Sequence, residues 1–220
     1  MRVLVIGASG GIGAAMVDKA RSEGAEVTAL SRSADGLDLL DEGSIAACLG
    51  ALDGAFERVF VTTGALEIGG IGPEKTLRSV TPEALAAQFA LNALGPALVL
   101  KHAVRLLPRN RPSVFAALSA RVGSIGDNRA GGWYGYRAAK AALNQLIHTG
   151  AIELTRTHPH LACVVLHPGT VQTDLTAAYA GRHPTVPASE AAANLWRVAE
   201  GLEATDSGSF FDWSGARVVW

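Results

Sequence analysis

Cysteine is almost missing from this sequence. The two that occur in 220 residues, Cys48 and Cys163, have no close spacing partner, which excludes a CxxC redox pair, a zinc site and a disulfide framework. Buried thiols in a reducing, cytoplasmic setting are expected instead. Excess charge is missing too: 19 Lys+Arg against 20 Asp+Glu leave a net −1, so there is no basic footprint for nucleic acid or for an acidic membrane surface. No apolar run reaches the roughly 18 residues of a membrane span. The most apolar region, 84–107, is interrupted by Gln88, Asn92, Gly95, Pro96 and Lys101, as suits a core helix, and the N-terminal run 3–6 is too short for a signal-peptide core. Repeats, low-complexity tracts and linker-like stretches are lacking, so 1–220 reads as a single domain. His158 and His160 have no HExxH or carboxylate companions, and no metal site is expected.

What is present is apolar content, 49% against 18% charged, in a pattern of short β-branched runs alternating with Ala-rich stretches of helical period. That alternation is the signature of βαβ units around a parallel sheet. The strand runs are 3–6, 26–30, a weak one at 37–39, 59–62, 113–118, 161–166 and 209–211, with helical stretches at 11–23, 44–51, 82–107, 134–156 and 188–201. They predict a doubly wound, Rossmann-type α/β domain whose parallel seven-stranded sheet has the order 3-2-1-4-5-6-7, with helices on both faces. Two loops, 67–81 and 170–187, are expected to leave the carboxyl ends of strands, where open α/β sheets bind ligands.

The first strand runs into Gly7-Ala8-Ser9-Gly10-Gly11-Ile12-Gly13 and then into a helix. Glycines there let backbone approach a pyrophosphate, and the helix N-terminus stabilises its charge. Gly7 to Gly11 also satisfy Gly-x-Ser-x-Gly, which raises a hydrolase elbow with Ser9 as nucleophile; its position after the first strand, without an Asp/His pair in the required order, counts against it. After the second strand comes Leu30-Ser31-Arg32-Ser33. A free ribose 2′-hydroxyl favours an acidic residue there, whereas Arg32 with a nearby hydroxyl such as Ser31 suits a 2′-phosphate, so NADP(H) is preferred over NAD(H). Asp38 is placed to meet the adenine edge.

The strongest signal is Tyr136-Arg137-Ala138-Ala139-Lys140. At i and i+4 on a helix, Tyr136 and Lys140 share one face. A phenol titrates near pH 10 and needs a nearby cation to work as an acid-base at neutrality; Lys140 supplies one.

With the glycine motif, the Tyr-xxx-Lys helix and His167-Pro168-Gly169-Thr170-Val171-Gln172-Thr173-Asp174 in this order, the chain resembles the short-chain dehydrogenase/reductase family over nearly its whole length. Ser119-Ala120-Arg121-Val122-Gly123-Ser124-Ile125, Gly131 to Arg137, Val80-Thr81-Pro82-Glu83 and Asn92-Ala93-Leu94-Gly95-Pro96 look like its C-factor and sniffer-like carbonyl reductase branch. The resemblance implies reduction of a ketone or aldehyde, with Tyr136 as general acid. It implies Lys140 lowering the tyrosine pKa and holding the nicotinamide ribose, and Asn92 ordering a proton-relay water. Gly7, Ser9, Gly11, Ile12 and Gly13 would cradle the cofactor, Gly64 would give a backbone contact on the adenosine side, and Val171 and Thr173 would grip the nicotinamide. Homodimers or homotetramers packed through 82–107 and 134–156 are also implied.

Two departures stand out. Asn-Asn-Ala-Gly of the family is Thr62-Thr63-Gly64-Ala65 here, which removes a stabilising side chain, and the substrate-orienting serine aligns with Ala120. Ser119, or else Ser124, is left as hydroxyl donor to the substrate carbonyl. Because neighbours on a strand face opposite ways, Ser119 can stand in only where the strand has ended. The rival reading is a catalytically weak NADP(H)-binding sensor or signalling protein of the same fold. Trp133 is placed to wall the substrate pocket.

Overall fold

The computed structural model describes residues 1–173 and 185–220. Six strands form the main sheet: β1 (Arg2–Ile6), β2 (Glu26–Leu30), β3 (Arg58–Val61), β4 (Ser113–Leu118), β5 (Leu161–His167) and β8 (Phe210–Asp212). Their order is β2-β1-β3-β4-β5-β8, and every neighbouring pair is parallel. Two short strands, β6 (Val171–Gln172) and β7 (Val186–Pro187), make a separate parallel pair.

The expectation of one seven-stranded sheet in the order 3-2-1-4-5-6-7 is therefore corrected: the described residues hold a six-stranded sheet and a two-stranded one. The segment missing from the ladder is 37–39. Leu37 and Leu39 are buried as the pattern required, but they plug the core from a loop. Leu39 lies so close to Gly95 that a Cβ there would meet its Cβ at 2.8 Å. The intervening backbone is satisfied locally, Asp38 N donating to Ser44 Oγ at 2.9 Å and Asp38 Oδ1 accepting from Leu40 N at 3.0 Å, so no ladder forms there.

Strand residues alternate between two cores, as burial on both faces requires. Val3, Val5, Phe60, Ala116 and Val164 pack under α1 (Gly11–Ser22) and α7 (Ala188–Glu200), with Met16 and Trp196 as the large fillers. Leu4, Ile6, Val61, Phe115 and Val165 pack on the opposite face with α3 (Glu42–Gly50), α5 (Gly95–Ala103) and α6 (Tyr134–Leu154). A four-residue helix, α2 (Arg32–Asp35), follows β2. The stretch read as one helix at 82–107 is segmented into α4 (Pro82–Phe89), a π turn (Ala90–Leu94), α5 and a 3-10 turn (Val104–Leu106). Pro82–Leu106 is long and apolar enough to cross a membrane by length and composition alone, but Ala93, Val99, Leu100, Ala103 and Leu106 are buried in the core. In register, Ile6 sits beside Leu30 and Val61, Val61 beside Ala117, and Leu118 beside Leu166, so the strands end together and their exits form one rim.

Candidate active site

At the rim, β1 exits into the glycine turn. Gly7 has φ +89°, a left-handed conformation that only glycine adopts freely. A Cβ on Gly13 would lie 2.1 Å from the Gly7 carbonyl oxygen, and one on Gly11 2.7 Å from Thr173 Cγ2. The turn is thus folded onto itself and overhung by Thr173. Helix α1 has neither a side-chain cap bond at Gly10 nor an acidic residue in its first turn, so its N-terminal N–H groups are left for an acceptor that the helix does not supply, as an anion would. Ser9 is exposed on this turn, without a hydrogen bond to any His or Asp among the described residues; the hydrolase elbow has no partners there. The stabilising side chain expected to be lost is replaced: Thr62 Oγ1 donates to the Ile6 carbonyl at 2.8 Å and lies 3.3 Å from that of Gly7, tying β3 to the cradle.

Next to it, Ser31 and Arg32 part company. Ser31 is buried and caps α2, its hydroxyl accepting from Ala34 N at 3.2 Å while its own N–H donates to Asp35 Oδ2 at 2.7 Å. Arg32 is exposed, and its guanidinium has no partner among the described residues. Asp38 is half-buried in the loop that follows.

On the other side of β1, Tyr136 and Lys140 lie on the buried face of α6. Lys140 Nζ donates to the Leu118 carbonyl at 2.9 Å and sits 5.8 Å from the centre of the Tyr136 ring. A Cβ on Gly64 would meet Asn92 Oδ1 at 3.0 Å and Lys140 Nζ at 3.3 Å, so the structure brings Gly64, Asn92, Lys140 and Tyr136 into one cluster. Asn92, in the π turn, holds the end of the β3 exit: its Oδ1 accepts from Ala65 N at 3.1 Å and its Nδ2 donates to Ala65 O at 2.8 Å and to Gln88 Oε1 at 2.7 Å. π turns are common where a helix is adjusted around a site. Burial pushes the Tyr136 phenol up to about 12 and the Lys140 ammonium down to about 8. The expected lowering of the tyrosine by the lysine is outweighed by desolvation of both groups.

The two candidate serines point elsewhere. Ser119 is buried and its hydroxyl donates to Asn144 Oδ1 at 2.6 Å; Ser124 donates to the Val219 carbonyl and accepts from Asp127 N at 3.1 Å. Ala120, half-buried and extended (φ −144°, ψ 146°), follows the end of β4. Val171 is buried in β6, and Thr173 lies over Gly11; Asp174 and the rest of the loop to 184 lie outside the described residues. Sequence reasoning missed Thr62, Gln88 and Asn144. The last two were detectable, since Gln88 precedes Asn92 by four residues and Asn144 follows Lys140 by four, each pair sharing a helix face.

A doubly wound parallel sheet that opens on a glycine cradle and sets a Tyr-xxx-Lys pair on the same rim defines a dinucleotide-binding oxidoreductase. The family model described as Enoyl-(Acyl carrier protein) reductase matches residues 7–211, and the chain belongs to this short-chain dehydrogenase/reductase family. The C-signal protein of Myxococcus xanthus is 37% identical over 136 residues, covering 62% of this chain and 78% of that protein. The 1-hydroxy-2-glutathionyl-2-methyl-3-butene dehydrogenase of Rhodococcus sp. (strain AD45) is 30% identical, covering 99% of each chain. Among solved structures, a short-chain dehydrogenase/reductase from Burkholderia multivorans with bound NADP superposes with TM-score 0.81 at 25% identity, over 100% of this chain and 99% of that one. The carbonyl reductase Sniffer of D. melanogaster superposes with TM-score 0.79 at 19% identity, over 100% and 99%, a likeness of fold.

Proposed function

We propose that this protein reduces a ketone or aldehyde to an alcohol with NADPH as reductant, Tyr136 delivering the proton. The observation that carries this reading is the convergence of Tyr136, Lys140, Asn92 and Gly64 beside an open glycine cradle. The residues present fit a dinucleotide: Gly7, Gly11 and Gly13 occupy positions where any Cβ would collide, and the first turn of α1 offers uncapped N–H groups. Ser9 and Ile12 border that turn and Thr173 lies over Gly11; Val171 and Thr173 would grip the nicotinamide, and Asp38 would meet the adenine edge. When bound, the dihydronicotinamide supplies a hydride to the carbonyl carbon. Tyr136 then gives its hydroxyl proton to the alkoxide oxygen, and Lys140 stabilises the phenolate that remains; the same ammonium would hold the nicotinamide ribose when the cofactor is bound. Asn92 acts by holding Ala65 and Gly64 in place and by orienting a relay water. The test is NADPH consumption by the purified protein against a panel of aldehydes and ketones. Turnover supports the reading; silence across the panel in a protein that binds NADPH opposes it.

The preference for NADP(H) rests on Arg32, whose exposed guanidinium is free to take a 2′-phosphate in charge-assisted hydrogen bonds. The related Burkholderia structure holds NADP. Arg32→Asp should weaken NADPH binding roughly 10- to 100-fold, as loss of about 1.5–3 kcal/mol of charged hydrogen bonding implies, and leave NADH binding nearly unchanged. Fluorescence titration with both nucleotides checks it; equal weakening of the two would remove Arg32 from the site.

One observation favours a second reading, a catalytically weak NADP(H)-binding sensor: Ala120 stands at the serine position while Ser119 and Ser124 are committed to Asn144 and to Val219. Ala120→Ser tests whether a missing hydroxyl limits the rate. For a reductase lacking its oxyanion donor, the new hydroxyl should raise kcat by at least about tenfold, a fraction of what such donors usually supply. An unchanged kcat would mean that the donor is already provided or that the protein does not turn over.

In this reading 1–220 is one unit acting in the cytoplasm, supported by two unpaired cysteines. It associates as a homodimer or homotetramer, supported by Leu94, Leu146 and Ile152 exposed on the helices of 82–107 and 134–156.

A further inference from the structure

We infer that Glu74, from the loop before α4, is a positioning residue that sets the first turn of α6 and through it the Tyr136 phenol; the inference rests on the acid role proposed for Tyr136. Helix α6 has no side-chain cap of its own at its start. Its N-cap, Trp133, has φ 54° and ψ 43° and no side-chain cap bond, and it is the one non-glycine at positive φ among the described residues. Such a conformation persists only where surrounding contacts impose it. Glu74 imposes it with two bonds. Its main-chain carbonyl accepts from Trp133 N at 2.6 Å, and its carboxylate Oε2 accepts from Gly135 N at 3.0 Å. The carboxylate thus occupies the place of an N-cap side chain, supplied from a segment about sixty residues earlier, and satisfies an N–H that the helix itself cannot.

The surroundings are built for this contact. Glu74 is only 6% exposed, a degree of burial that acidic side chains rarely reach without partners. A Cβ on Gly135 would lie 2.9 Å from Glu74 Oε1 and 3.2 Å from Gln88 Cγ, so glycine at that position is what lets the carboxylate approach. Gln88 leads onward to Asn92 at 2.7 Å, which joins the cap to the catalytic cluster. Arg137 clamps the approach to the helix from outside, donating to Gly132 O at 2.9 Å and to Val122 O at 3.2 Å. Tyr136 is the very next residue after Gly135, and its ring meets that of Trp133 edge-on at 6.2 Å. A shift of this turn therefore moves both the acid and the pocket wall, while the glycine cradle lies on a different element.

The test uses Glu74→Ala, Glu74→Gln and Glu74→Asp in the whole protein, read by amide hydrogen exchange and by kinetics. Glutamine keeps an oxygen for Gly135 N, whereas aspartate keeps the charge but is one methylene too short. Expected are faster exchange at Gly135 and Tyr136 in the alanine and aspartate variants, wild-type protection in the glutamine variant, and unchanged protection of β4 and β5 in all three. With a carbonyl substrate, kcat should fall about 10- to 100-fold in the alanine and aspartate variants, the scale expected for a displaced catalytic group, with NADPH affinity within twofold and glutamine restoring most of the rate. Wild-type protection of Gly135 in the aspartate variant would overturn the inference. So would a glutamine variant as impaired as alanine, or losses spread evenly over the strands. Should the wild type reduce no carbonyl at all, the reading of the function fails, and the exchange data still decide whether Glu74 sets the turn.

Discussion

Tyr136→Phe should abolish carbonyl reduction and leave NADPH binding intact. The phenol is 8% exposed, and burial holds its pKa at about 12, so at neutral pH essentially every molecule carries the proton that reduction consumes. Phenylalanine keeps the ring, its edge-on contact with Trp133 and the packing of α6, and removes only that proton. Positioned general acids contribute about 10²- to 10⁴-fold, and the drop in kcat should fall in that range with a nucleotide Kd within twofold of wild type. The raised pKa also sets a direction for pH. Alcohol oxidation needs the phenolate, so its rate should climb with pH through the range in which reduction has no need of deprotonation. Steady-state rates in both directions with nucleotide titration give the answer, and wild-type turnover in the variant would remove Tyr136 from the chemistry.

The parts of this site that were legible in the sequence are those whose chemistry is local. A glycine turn needs φ and close-approach freedom at fixed offsets, and Gly7, Gly11 and Gly13 are found where Cβ atoms cannot go. A Tyr-xxx-Lys pair needs one helix face, and α6 supplies it. What was illegible depends on partners distant in the chain. Leu37 and Leu39 carry a strand's burial pattern, but alternation reports only that side chains are buried, not whether the backbone between them pairs; here Ser44 and Asp38 itself claim it. The break in 82–107 follows from Asn92 reaching across to Ala65, a contact with no periodic signature. Ser119 looked like a replacement for the missing hydroxyl because it is adjacent to Ala120. Adjacent residues face opposite ways, however, and Asn144 waits on the other side. Glu74 lay in a glycine-rich loop, and nothing in its neighbours marks it as the cap of a helix that begins some sixty positions later.

Lys140→Met should stabilise the fold at neutral pH while destroying the activity. Lys140 is 2% exposed, donates to the Leu118 carbonyl, and has no carboxylate within ion-pairing distance among the described residues. Its charge is therefore desolvated without full compensation, and burial lowers its pKa from 10.5 to about 8. Between those two values the unfolded chain binds more protons than the folded one, so stability rises with pH across that window. Below pH 8 the whole penalty is present, about 3 kcal/mol at ~1.4 kcal/mol per pKa unit. Methionine removes the penalty and gives up one hydrogen bond of about 1 kcal/mol, leaving a net gain of about 2 kcal/mol at pH 7. For a chain of this size that raises Tm by roughly 4–8 °C. As pH rises toward 10.5 the penalty shrinks to a few tenths of a kcal/mol, and above 10.5, where the lysine is neutral in both states, the advantage should vanish and the variant become slightly the less stable. Thermal unfolding of both proteins at pH 7 and pH 10 reads the difference directly. A variant destabilised equally at both values would show that Lys140 is held by packing, whereas a pH-dependent gain coupled to lost turnover would show a buried cation kept for its chemistry at the expense of the fold.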